Sequence, residues 1–569
     1  MKWLFSGRKA IRHLLKLQQY HVNNDKHSLP RLYYAPNPLR FSISMELPYV
    51  FSCKKYSNSS ILNDTESTKR LKLIFLYVFM NLIQTCILCL HCFITILCRS
   101  MNYNKHESSN KKVDLEIMTR SVLKPASPTP HHLKTFKLSI LDQMILDIYS
   151  PLILFIPNSD KASVNDVITK RSKHLKDTLS HILTQFYPMA GEVKDSLHIE
   201  CNDKGVYYIE ARVNQTLEDF LSYPDDEKAR ALNPESPRTV ESSIGNFVIG
   251  IQVNIFNCGG IGLSTSVSHK IFDGHTYFTF MKAWAAATRG SPETLAPSFM
   301  AYEVFPNNPC LELSMPASKL LTTKFLSTKR FLFNSTALAR LKSQAVACSS
   351  SSTSLTSRAA TRTEATSAII WKAAAKAALN IRPFGPRSPH AFGSSVNLRK
   401  RASPPLPSES IGNIVDTTAA ICFPESQPDL ATLMAQIRES IAKVDSNHIE
   451  SMKGEKGHEK INEMLRGLNH LMDVIDVQDC VVSSSLLNSG MYEMDFGWGK
   501  PIWFYNMNPG FNRVVYLNDT PKGGGVEATV TLSLEEMEIF ERDSELLSYA
   551  IVDPSPLQFL NQKNSRNGL

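Results

Sequence analysis

Between Phe247 and Gly290 the chain sets out, in order, a strand, a glycine turn, a second strand and a helix, and this order constrains the fold more than any other stretch. Phe247–Phe256 is largely apolar, Gly259 and Gly260 make the turn, and a second strand-like run leads into the segment Ser264–Gly274. From His275 to Gly290 the sequence turns helix-like, rich in alanine and aromatic residues. His269 thus falls at the end of a strand, just ahead of a helix, where rigid elements can hold a reactive side chain still. Gly274 permits a tight turn or a close approach of backbone to another group.

An imidazole titrates near neutral pH, so His269 can take a proton from an alcohol or amine as that group attacks an acyl carbon. Asp273 follows four residues later. The His-x-x-x-Asp spacing also occurs at His21 and Asp25, in a segment with no other enzyme-like feature, so the pattern alone carries little weight. Its weight comes from a second string, Asp495-Phe496-Gly497-Trp498-Gly499-Lys500-Pro501, about 220 residues downstream and too rich in Gly and Trp to be a chance match.

With both strings in place, the chain resembles the plant BAHD acyltransferases, in the branch that resembles vinorine synthase. The resemblance runs from about Val113 to about Pro556. It includes Ser127–Pro130, Leu141-Asp142-Gln143, Tyr187–Gly191, Cys201–Val206, Asn397-Leu398-Arg399, Pro404–Pro407 and Gly412-Asn413. It implies an α/β, two-domain fold, each domain a mixed β-sheet flanked by helices, with an active-site channel between them. It also implies transfer of an acyl group, acetyl by branch, from acyl-CoA to a hydroxyl of an alkaloid, terpenoid or sugar ester. His269 is then the base, and no acyl-enzyme, bound cofactor or metal is needed; acyl-CoA is a cosubstrate. By the same resemblance Asp273 turns away from the reaction and pairs with Arg399, Gly274 stands beside it, and Asp495, Phe496, Gly497, Trp498 and Gly499 shape the cofactor channel. The Trp498 indole is either a donor to the reaction intermediate or a packing group. One departure stands out: where the family has Ser-Trp-Cys-Arg, the stretch Val482–Asn488 lacks the Trp, the Cys and the Arg, leaving Ser484 or Ser485 as a hydroxyl source.

Charge is divided unevenly. Residues 1–112 carry 17 Lys/Arg against 5 Asp/Glu, and the remaining residues 45 against 48. The family-like body is therefore near neutral and has no nucleic-acid-binding pattern. Residues 1–112 form a non-family extension. Its stretch 73–98 is uncharged and long enough to span a bilayer. It reads either as a membrane anchor ahead of the enzyme or as a non-native extension from an over-long gene model, and its composition fits the second better. Five of the eleven cysteines lie in this extension and the others are scattered, which suits a reduced, cytoplasmic setting. Cys89 and Cys92 lack a second ligand pair, so no metal site is expected.

The remaining boundaries are 113–298 for the first acyltransferase domain, 299–323 for a crossover and 324–569 for the second domain. Residues 348–357 read as a Ser/Thr surface loop, Met452–Lys460 as a polar loop and Glu535–Tyr549 as one closing helix. The resemblance implies a monomer whose partners are an acyl-CoA donor and a small alcohol. A competing reading, motivated by the altered Ser483–Asn488 stretch and the apolar stretch 73–98, is a catalytically weak, membrane-tethered binding protein. A hydrolase would want a Gly-x-Ser-x-Gly elbow, which is missing.

Overall fold

The computed structural model describes residues 113–234, 247–291, 296–311, 325–347, 358–382, 389–423, 427–475 and 479–558. The apolar stretch 73–98, the rest of the N-terminal extension and the Ser/Thr-rich stretch 348–357 lie outside the described residues. Among the described residues no helix is long and apolar enough to cross a membrane.

Thirteen strands of the described residues build two mixed sheets. They are β1 (Leu115–Leu123), β2 (Tyr149–Ile156), β3 (Val206–Val213), β4 (Ile249–Phe256), β5 (Ile261–Ser268), β6 (Leu326–Phe333), β7 (His390–Asn397), β8 (Val415–Cys422), β9 (Cys480–Ser485), β10 (Trp503–Asn506), β11 (Val514–Asp519), β12 (Val526–Ser533) and β13 (Ile551–Val552). The first sheet runs β1-β3-β4-β5-β2-β10, and the second β8-β7-β9-β11-β12-β6-β13. A small third sheet joins Thr135–Lys137, Glu192–Val193 and His198–Glu200. Sheet membership does not follow chain order: β10, far along the chain, pairs antiparallel with β2 and completes the first sheet.

Eight helices matter to the site. They are α1 (Ile140–Met144), α2 (Ser172–Gln185), α3 (Gly274–Arg289), α4 (Ser335–Ala347), α5 (Arg362–Ile381), α6 (Leu430–Ala442), α7 (Gly457–Val474) and α8 (Leu534–Phe540). β4 and β5 are buried along their whole length; β4 is mostly apolar, whereas β5 buries Ser264, Thr265, Ser266 and Ser268 beside its apolar residues. Residues of α2 and α3, among them Leu179, Leu183, Phe280 and Trp284, bury one face of this sheet.

The second sheet obeys strict alternation. Phe392, Val481, Val515 and Leu517 pack with Ile369 and Trp371 of α5 and Ile437 of α6. Their alternate neighbours Gly393, Ser395, Val482, Ser484, Val514 and Tyr516 face the other way and line a cavity. Small side chains at Gly393, Ser395 and Ser484 leave that space unfilled.

Two readings from the sequence need correction. The polar loop expected over Met452–Lys460 is shorter, because α7 already begins at Gly457. Ile461, Met464 and Leu465 give it an apolar stripe at helical spacing, which packs into the core beneath Val396 and Leu398. The closing helix expected over Glu535–Tyr549 is two short helices, α8 and Ser544–Leu547. Asp543 separates them by accepting the Leu546 N–H as an N-cap.

Candidate active site

β5 ends at Ser268, and the ladder continues one bond further: the His269 N–H donates to the Ile148 carbonyl at 2.8 Å. The next residue locks the same segment from below, Lys270 Nζ donating to the Ile145 carbonyl at 2.6 Å. The His269 backbone is thereby fixed against the 145–148 segment, and its ring lines a cavity of about 1030 Å³. The wall is mostly apolar, with Leu146, Ile148, Phe272, Phe278 and Leu486 among its residues. Loss of hydration on burial pulls the His269 pKa below the ordinary histidine value.

The protonation of the ring follows from its neighbours. Asn413 is fully buried. Its Nδ2 donates to Asp142 Oδ1 at 2.9 Å and to the His269 carbonyl at 2.8 Å. Both partners are acceptors, so the amide can be oriented only with Oδ1 toward the ring, 3.1 Å from His269 Nδ1. An amide oxygen only accepts; Nδ1 therefore carries the hydrogen and Nε2 keeps a free lone pair. Asp142 anchors this relay, receiving the Asn413 N–H at 2.6 Å and both the N–H and the hydroxyl of Ser139. Burial raises the Asp142 pKa, against the pull of those hydrogen bonds.

Asp273 is not part of this relay. It caps α3, accepting the Thr276 N–H at 2.7 Å. Its two oxygens meet Arg399 in a bidentate pair, Nη1–Oδ2 at 2.7 Å and Nη2–Oδ1 at 3.2 Å. Asp273 is 3% and Arg399 1% exposed. Burial pushes the carboxyl up, but the Arg399 charge and hydrogen bonds outweigh it, and the Asp273 pKa falls below the usual value. Arg399 also donates to the carbonyls of Ser410 and Gly412, each at 3.0 Å, and to Asn397 Oδ1 and Thr276 Oγ1, each at 3.3 Å. Together with the Ile414 N–H, which donates to Asp273 Oδ2 at 3.2 Å, these bonds tie the start of α3 to the 410–414 loop, which carries Asn413. Gly412 has φ +122°, and a Cβ there would crowd Ala301 at 3.2 Å. At Gly274 a Cβ would meet Leu486 Cδ2 at 2.5 Å, so the glycine admits the leucine that roofs this corner of the cavity.

Asp495–Gly499 stands apart. None of its five residues lines the cavity. The turn closes on itself, Gly497 and Gly499 donating their N–H groups to Asp495 Oδ1 at 2.8 and 3.2 Å. It grips the far end of α3: Arg289 Nη1 donates to the Asp495 carbonyl at 3.2 Å, and Phe496 meets Trp284 edge-on at 5.7 Å. Trp498 lies under the Arg171 guanidinium, 5.3 Å from ring centroid to charge, with its Nε1 buried and unpartnered.

In the altered stretch, Ser484 and Leu486 line the cavity, whereas Ser485 faces Thr363 on the exposed side. Asn488 adopts φ +61° and is held by Arg362 and Asp519. Among the described residues no group of acidic, His and Cys side chains could hold a metal, and no disulfide joins the described cysteines. The sequence marked Asp142 and Asn413 only as parts of motifs. Their partnership joins positions 271 residues apart and has no local signature.

Comparison with known proteins places this geometry in a family. A transferase family matches residues 113–547. Epi-neemfruitin B 7-O-acetyltransferase of Melia azedarach is 34% identical over 461 residues, 78% of this chain and 99% of that protein. Stemmadenine O-acetyltransferase of Catharanthus roseus is 31% identical over 433 residues, 75% of this chain and 96% of the relative. The crystal structure of vinorine synthase superposes with a TM-score of 0.64 at 30% identity, covering 77% of this chain and 98% of that one. With its fold, its cavity and these relatives in agreement, the chain belongs to the transferase family of the BAHD acyl-CoA-dependent acyltransferases, in the branch of vinorine synthase.

Proposed function

We propose that this acyltransferase moves an acetyl group from acetyl-CoA to a hydroxyl of a polycyclic plant metabolite, a terpenoid or an alkaloid, with His269 as general base. The observation that carries this reading is the Asn413 hydrogen bond, which leaves His269 Nε2 unprotonated beside a large apolar cavity. Nε2 takes the acceptor's hydroxyl proton as the oxygen attacks the thioester carbonyl carbon, forming the C–O bond and a tetrahedral oxyanion. The oxyanion collapses, the C–S bond breaks, and the leaving thiolate recovers the proton from the imidazolium. The Ser484 hydroxyl is the candidate donor to the oxyanion in this stretch. Holding both substrates in one cavity removes much of the entropic barrier to their encounter. The limonoid and stemmadenine acceptors that the names of two relatives print suit an apolar cavity of this size.

The test follows CoA thiol release from acetyl-CoA with a panel of terpenoid, alkaloid and sugar alcohols. Release that requires both an acceptor and His269 supports the reading. Undiminished transfer by His269→Ala would overturn it. The absence of the Trp, Cys and Arg from Val482–Asn488 favours a second reading, a scaffold that binds CoA and turns nothing over. CoA binding with no release across several acyl donors would select it.

A further inference from the structure

β10 contains a residue that its surroundings do not explain. Trp503 and Tyr505 point to one side of the first sheet and join a separate apolar cluster. Phe504 and Asn506 point to the other. Phe504 packs on Tyr277 and Phe278, with ring centroids 6.5 and 5.6 Å apart, and both of those rings line the cavity. Asn506 lines it too, is only 4% exposed, and pairs through its backbone with Leu152. Its Oδ1 is buried and has no hydrogen-bond partner, which leaves Nδ2 as the polar atom of this side chain able to meet a group in the cavity. A buried amide left unpaired in an apolar wall is costly, and an aliphatic side chain would serve packing better.

We propose that Asn506 is a specificity residue: its Nδ2 donates a hydrogen bond to an oxygen function of the acceptor remote from the hydroxyl that is acylated. This inference rests on the acyl-transfer reading above and names what the acceptor must carry. Sheet register gives the span. Asn506 lies opposite Leu152, Leu152 opposite Thr265, and His269 lies four residues beyond Thr265. Four strand residues and two strand spacings separate the two backbones by on the order of 15 Å. A flexible short alcohol cannot bridge that distance, whereas a rigid polycycle with oxygen at both ends can. An acceptor so held is fixed at two points, which aims one chosen hydroxyl at His269 Nε2 and selects among several.

The experiment offers the full chain pairs of rigid polycyclic alcohols that differ by one ketone or hydroxyl on the ring farthest from the acylated alcohol. Steroid 3-alcohols with and without oxygen at position 17 come first. Wild type should favour the oxygenated member in kcat/KM by roughly 10- to 100-fold, the usual scale for losing the partner of a buried polar group. Asn506→Leu should abolish that preference by slowing only the oxygenated member, with acetyl-CoA KM unchanged. Asn506→Thr deletes the same amide with a smaller side chain, so either folded variant decides. Equal loss on both members, or a wild type indifferent to the remote oxygen, would overturn the proposal. His269→Ala runs alongside: if it stays active, the base assignment falls and the Asn506 comparison is still read. If it is silent while Asn506→Leu behaves as wild type, only this inference falls. Transfer to no polycyclic alcohol at all would overturn both the acceptor class and the role of Asn506.

Discussion

The two signature segments sit at opposite ends of one helix. The His269–Gly274 end of α3 borders the cavity, and its acid, Asp273, is paired with Arg399 across to the second half of the chain. The Asp495–Gly499 turn holds the other end through Arg289 and Trp284 and touches no cavity wall. Sixteen residues separate the two ends, or about 24 Å of helix. A motif can therefore support a cavity by fixing the far end of the helix that borders it, without lining the cavity itself. The same division appears within the first signature: His269 faces the cavity, while Asp273 faces Arg399.

Breaking each end should have different consequences. His269→Ala should lower kcat by about 10²- to 10⁴-fold, the usual range for a general base, with the melting temperature unchanged. Arg399→Met strands a buried carboxylate and should cost about 3–5 kcal/mol of stability in denaturant unfolding. Asp273→Asn should lower both stability and rate; if it altered neither, the pairing would be without consequence. Asn413→Leu frees the ring to adopt the other tautomer and should reduce kcat by roughly tenfold, about one hydrogen bond's worth. At the far end, Asp495→Ala should cost about 1 kcal/mol of stability and leave kcat per folded molecule unchanged. A fall in kcat without a fall in stability would break the comparison and bring the second signature into the reaction.

Acidity offers the mildest test. Burial holds the His269 pKa below its ordinary value, which favours the neutral ring at neutral pH. Activity should persist down to about pH 6.5 and decline only as the pH falls through the lowered pKa. Stability moves the same way. Burial, with Arg513 and Arg382 beside it, pushes His390 down to about 2. Below about pH 6.5 the unfolded chain binds protons that the folded chain refuses at His269 and His390, so both erode stability as the pH drops.

Legibility in the sequence followed the range of the interactions. β4 is buried on both faces and mostly apolar, and α5 is a long alanine-rich helix; both could be read locally, and β5 was marked by the glycine turn before it and the helix after it. β10 could not, because four residues following a Gly-Pro turn have no periodicity to measure. β9 is half serine, and its strand state comes from its parallel neighbours β7 and β11. At the site, the type and spacing of His269 were visible, but its tautomer was not. That is decided by an amide 144 residues away and a carboxylate beyond it.

The late arrival of β10 bears on synthesis. β2 is one edge of its sheet until Trp503–Asn506 pairs with Leu152–Phe155. At ribosomal speeds of roughly 5–20 residues per second, that edge waits on the order of tens of seconds for its partner. During the wait the nascent chain presents the backbone of an apolar strand, Leu152 to Ile156, open to pairing with any other chain. Truncations that end before residue 503 should therefore accumulate in aggregates, even though every residue of the His269 signature is already present in them.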